Sequence, residues 1–111
     1  VRLHSCGDCS FVLPYLNEMK PDIIDIDSIV PVRDVREKGD SELVLAGNID
    51  PVRIPKDGTP EIITDSLALC CQEAGQHRYM VAAGCEIPRE TPKENLETLH
   101  RFAEHGFNNR R

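Results

Sequence analysis

His4-Ser5-Cys6 stands near the start of the chain, and Cys85 stands far downstream in Gly84-Cys85-Glu86-Ile87-Pro88. One imidazole and two thiols are a ligand set that zinc takes readily. Three protein ligands leave a fourth position open to water or substrate, which marks a catalytic rather than a structural site. His4 and Cys6 are spaced i, i+2, so in an extended segment both side chains point to one side. A substrate thiol bound in the open position would lose its proton, because zinc stabilises the thiolate. Asp27 is the candidate for an occasional fourth ligand or a partner behind the ligands.

A rival chemistry uses the same residues, since Cys6-Gly7-Asp8-Cys9 is a CxxC with Pro14 shortly beyond it. Thioredoxin-like redox modules place such a pair between a strand and a helix, whose N-terminus lowers a thiol pKa. That reading leaves His4 and Cys85 without a role, and no hairpin or loop proline completes such a fold. A zinc ribbon fails because there is no second CxxC. Plain structural readings compete as well: a lone His at a strand end is usually packed or solvated, and Cys is among the most buried residue types. Cys70 and Cys71 fall mid-helix as core filler, while His77, His100 and His105 lie in turns or on a polar face. Glu94, Glu97 and Glu104 read as a solvated helix face.

Length and charge set the outer bounds. A chain of 111 residues is one domain at most, long enough for a core but small for most enzymes. A formal charge of -6 argues against nucleic acid or an anionic membrane as partner, because both require clustered Lys and Arg. No apolar run approaches a membrane span and no secretory signal is present. The five cysteines are odd in number and unevenly spaced, which fits a cytoplasmic protein with metal-binding or catalytic thiols. The chain opens on Val1 without a methionine, as a piece cut from something longer would.

The elements that must position these groups alternate. Strands are expected at Val1 to His4, Ile23 to Asp27, Leu43 to Ala46 and Tyr79 to Ala83. Helices are expected at Phe11 to Met19 after a Ser10 cap, at Val32 to Lys38 before Gly39, and from a Thr59 cap with Pro60 to about Ala74. In the third helix Ile63, Leu67, Cys70 and Ala74 share the inner stripe. Thr91-Pro92-Lys93-Glu94 forms a capping box on a last helix that turns Leu96, Leu99 and Ala103 inward and stops at Gly106. Residues 1–106 then form the domain and 107–111 a frayed tail. Four consecutive βα units imply an α/β fold with a parallel sheet, the size of half a (β/α)8 TIM barrel, which normally needs about 250 residues. Ligand sites in such sheets lie at the carboxyl ends of the strands. That rim gathers His4 and Cys6, Asp25 and Asp27, Asn48 and Asp50, and Cys85.

Several segments together resemble the C-terminal half of the uroporphyrinogen decarboxylase superfamily, in its corrinoid-dependent methyltransferase branch. They are His4-Ser5-Cys6-Gly7-Asp8, Gly47-Asn48-Ile49-Asp50-Pro51, Gly58-Thr59-Pro60-Glu61, Gly84-Cys85-Glu86-Ile87-Pro88 and Thr91-Pro92-Lys93-Glu94-Asn95, in the family's order and across nearly the whole chain. The resemblance implies a zinc site at His4, Cys6 and Cys85, the positions of the family's His-x-Cys pair and distant Cys. It implies methyl transfer from methylcobalamin on a partner corrinoid protein to a thiol such as coenzyme M, or to a folate in related pathways. Asn48 and Asp50 would shape the acceptor pocket. Cys9 lies outside the family's ligand set. Uroporphyrinogen decarboxylase itself is the alternative, although it needs no metal. A third expectation is that the fragment is inactive alone and needs the N-terminal half of the barrel, or a second copy of the chain, to close its sheet.

Overall fold

In a computed structural model, which describes residues 1–75 and 77–109, four strands form one parallel sheet in the order β1-β2-β3-β4. They are β1 (Arg2–Ser5), β2 (Ile23–Ile26), β3 (Val44–Ala46) and β4 (Tyr79–Met80). Helices α1 (Leu16–Met19), α2 (Val32–Lys38) and α3 (Pro60–Ala74) fill the three crossovers, and α4 (Lys93–Asn109) follows β4. The four βα units expected from the sequence are present. Strand β4 is shorter than its apolar run, and beyond Met80 only an isolated bridge joins Ala83 to Ile49.

Strand alternation sorts the side chains. Leu3, Ile24, Ile26, Leu45 and Tyr79 pack with Leu13, Leu16, Val32 and Val35 from the first two helical segments. A second cluster joins Ile49 to Ile63, Leu67 and Cys71 of α3 and Phe102 of α4. The residues between them, Arg2, His4, Asp25 and Met80, fall on the opposite side of the sheet by the same period of two.

Three local expectations are corrected. The first helix is a 3-10 helix over Ser10–Tyr15 and becomes α-helical only at Leu16, because Pro14 lacks an N–H and disfavours the α conformation at Leu13. Its Phe11, Tyr15 and Met19 are exposed, and Leu13 and Leu16 are the buried pair. On α3 the inner stripe passes through Cys71 rather than Cys70. On α4, Asn95, Thr98 and Phe102 face inward with Leu99 partly buried, whereas Leu96 and Ala103 are exposed.

The rotation of α4 follows from the segment before α3. Between Pro51 and Asp57, in the connection from β3 to α3, the chain makes a π-helical turn, Val52–Lys56. The Asn95 amide donates to the carbonyls of Pro55 (2.8 Å) and Gly58 (3.0 Å), which serves two acceptors at the end of that turn. The Thr91 hydroxyl donates to the Pro88 carbonyl (2.6 Å) just ahead of α4. Helix α4 also continues past Gly106 to Asn109, so residues 107–109 are helical; residues 110 and 111 of the expected tail lie outside the described residues.

At the end of the sheet remote from the rim, Arg36 of α2 ties several segments together. Its guanidinium donates to the carbonyls of Leu43 (3.0 Å), Ala74 (2.8 Å), His77 (3.0 Å) and Arg78 (3.0 Å). These are the chain entering β3, the C-terminus of α3 and the chain entering β4. Arg36→Met removes the donor that these carbonyls share and leaves those of Leu43 and Ala74 without it in a part-buried setting, and we expect it to lower the unfolding free energy by about 3 kcal/mol in urea titrations.

Candidate metal centre

His4 is the penultimate described position of β1 and Cys6 is the first residue past it; Cys85 sits in the loop after β4. The structure brings the three together, with one ligand atom from each lying within 4.8 Å of the others. The Cys6 Sγ is 3.1 Å from His4 Nε2 and 2.9 Å from Cys85 Sγ. All three side chains are at least partly open to solvent. One imidazole nitrogen and two sulfurs fit a zinc ion by donor type, and they converge closely enough to serve a single ion.

Two backbone devices hold Cys85 over Cys6. The Gly84 N–H donates to the Ile49 carbonyl (2.8 Å), which ties the β4 loop to the segment after β3. Gly84 also lies against the β2 loop so closely that a Cβ would stand 2.5 Å from Ser28 N and 3.0 Å from the Asp27 carbonyl carbon. Only glycine fits there.

Asp27 is near the cluster but not within it. Its carboxylate accepts from the Gly7 N–H (2.8 Å) and the Ser28 hydroxyl (3.1 Å), which pins the turn after Cys6. The Gly7 N–H is the main reason its pKa is lowered. Asn48 was expected to shape a pocket at the rim, but its side chain is buried. Its amide donates to the Asp27 carbonyl (2.9 Å) and to the Val30 carbonyl, holding the β2–α2 loop in place. Asp50 likewise serves the backbone, accepting from Val52 N (2.9 Å) and Arg53 N (3.1 Å) at the start of the π-helical turn. Both act on loop shape.

The residue that sequence reasoning undervalued is Asp25. It pairs in register with His4 across β1 and β2, and its Oδ2 lies 3.2 Å from His4 Nδ1. Arg2 holds the same carboxylate from the other side at 2.8 Å to 3.1 Å, and this guanidinium is the main cause of the lowered Asp25 pKa. The signal was the strand register, which places residue 25 rather than 27 opposite residue 4.

The CxxC thiols occupy different environments. Cys9 is 2% exposed within the first core cluster, whereas Cys6 is exposed and engages Cys85. The hydrogen bond with Cys85, then burial and nearby negative charge, pushes the Cys6 thiol up to about 11, opposite to the low pKa of a redox CxxC. Cys70 sits behind the site, its thiol 3.8 Å from Asn48 Oδ1.

Residues 1–105 match the uroporphyrinogen decarboxylase (URO-D) family model, and the chain belongs to that family. A methylated-thiol–coenzyme M methyltransferase of Methanosarcina mazei is 30% identical over 99 residues, 89% of this chain and 26% of that protein. A methylcobamide:CoM methyltransferase of Methanosarcina acetivorans is 27% identical over 97 residues, 87% of this chain and 27% of that protein. Uroporphyrinogen decarboxylases match at a similar level, 28% identity for that of Trichodesmium erythraeum over 74% of this chain and 23% of that protein. The chain thus spans about a quarter of the length of the curated relatives it matches. A solved methyltransferase from Methanosarcina mazei shares the fold at a TM-score of 0.73 and 21% identity, covering 96% of this chain and 31% of that one.

Gly84→Ala pushes a methyl group into the backbone of the β2 loop. We expect about 1–3 kcal/mol of destabilisation in thermal unfolding, with Cys85 moved away from Cys6 and alkylated faster by iodoacetamide.

Proposed function

We propose that the chain is the zinc-binding part of a corrinoid-dependent methyltransferase, with His4, Cys6 and Cys85 as the protein ligands. The supporting observation is the convergence of one imidazole and two thiols at the carboxyl end of a parallel sheet. A zinc ion held there would stabilise the thiolate of an acceptor such as coenzyme M, which makes it a nucleophile at neutral pH. The reaction moves a methyl group from a corrinoid on a partner protein to that sulfur, or to a folate acceptor in a related pathway. The chain's own residues supply the ligand atoms, while Asp27, Asn48 and Gly84 fix the loops that carry them. The two named methyltransferases among the relatives favour this reading. The decarboxylase reading, favoured by other relatives, gives the two thiols no chemical role.

The fold fits half of an eight-stranded barrel, with β1 and β4 each carrying an edge that pairs with nothing among the described residues. The remaining strands come from the N-terminal half of the barrel or from a second copy of the chain. Among the described residues no helix is long and apolar enough to cross a membrane, and the proposal places the enzyme in the cytoplasm.

Metal analysis tests the site first. About one zinc per chain is expected, lost in Cys85→Ser as in Cys6→Ser and retained in Cys9→Ser. A folded protein without zinc, or one whose zinc survives Cys85→Ser, would sink the assignment. The pH dependence has a definite sign. Metal uptake near neutral pH must displace the Cys6 proton, so competition titrations should show apparent affinity rising from about pH 6 to about pH 8. Sedimentation of the isolated chain should show dimers or larger species, and a clean monomer would count against the half-barrel.

A further inference from the structure

A charged network along β1 and β2 backs onto His4. Arg2, His4 and Asp25 lie on one side of the sheet, Arg2 and His4 two residues apart on β1 and Asp25 opposite His4 on β2. The Asp25 side chain is 17% exposed, against 53% for both of its partners. One of its oxygens meets His4 Nδ1 at 3.2 Å, and Arg2 holds both oxygens through Nε at 3.0 Å and 3.1 Å and through Nη2 at 2.8 Å. A carboxylate gripped this way has little freedom to turn. A carboxylate only accepts, so in a neutral His4 ring this contact places the hydrogen on Nδ1 and turns the Nε2 lone pair toward Cys6 Sγ 3.1 Å away.

We infer that Asp25, locked by Arg2, is a positioning residue that sets the tautomer and ring orientation of His4 so that Nε2 faces the two thiols. The inference rests on the metal reading of His4, Cys6 and Cys85 and deepens it. Asp27 does not take this role, because the strand register places Asp25 opposite His4 and the Asp27 carboxylate meets Gly7 and Ser28 instead. The electrostatics fit as well. Two thiolates balance a zinc dication, and the Arg2 guanidinium balances Asp25, so the histidine is oriented without adding charge beside the ligands.

The test compares the wild-type protein with Asp25→Ala and the near-isosteric Asp25→Asn. Long-range proton–nitrogen NMR of the imidazoles reads the His4 tautomer without metal, and cobalt(II) absorption titrations read affinity and ligand geometry. The wild type should show the Nδ1–H tautomer. Asp25→Ala should shift His4 toward the Nε2–H form and weaken cobalt(II) binding by about tenfold to a hundredfold. Asp25→Asn keeps an acceptor oxygen and should recover the tautomer and most of the affinity. An unchanged tautomer in Asp25→Ala overturns the inference, and so does cobalt(II) affinity within about twofold of wild type. If the wild type takes up no cobalt(II), the metal reading fails by itself, and the tautomer comparison still decides what Asp25 does.

Discussion

The close approach of Gly84 to the backbone of Asp27 and Ser28 is the constraint on which the site depends. Two loops from strands that are not neighbours in the sheet meet there backbone to backbone, and the residue that follows the contact is Cys85. Each neighbouring interaction maintains that contact. Asn48 fixes the β2 loop from below by holding the carbonyls of Asp27 and Val30. The Asp27 carboxylate reaches forward to the Gly7 N–H and so fastens the turn that follows Cys6. The Tyr79 hydroxyl donates to the Gly47 carbonyl from within the core, beside the segment that delivers Asn48. The polar side chains of the rim thus act mainly on backbone, and the cluster of His4, Cys6 and Cys85 is where their effects converge.

Much of this architecture was legible in the residues. The alternation of apolar runs with capped amphipathic stretches marked four βα units, and the carboxyl-end rule gathered His4, Cys6, Asp25, Asp27, Asn48, Asp50 and Cys85 on one rim. Residue type did not reveal which polar groups serve the backbone. Asn48 and Asp50 look like ligand contacts when the chain is read as a string, because nothing in it states that a loop's carbonyls and amides will lack partners. The order of Asp25 and Asp27 was lost for a related reason. Their spacing puts both on one side of β2, and only the pairing register chooses which stands opposite His4.

The helices show the same limit. Periodicity located α4 but misplaced its face by about one position, because a helix rotates to satisfy whichever buried groups it meets. Asn95 met the carbonyls of Pro55 and Gly58, and Leu96 was left at the surface. Pro14 mattered for conformation rather than for the presence of a turn, converting most of the first helix to a tighter winding. In each case a polar or backbone requirement outweighed an apolar pattern, as expected where an unpaired buried acceptor costs more than one exposed leucine.

Arg36 has a consequence for how such a scaffold changes over time. Its guanidinium gathers four carbonyls at the amino ends of the strands, on a different level of the molecule from the thiols. The fastening at that end is thereby separate from the loop contacts that gather the thiols at the other pole of the sheet. Loops at the pole that carries the thiols can be lengthened, shortened or rewired with little effect on the fastening at the other. A lineage built on this plan can exchange the side chains gathered at that rim while keeping the same frame.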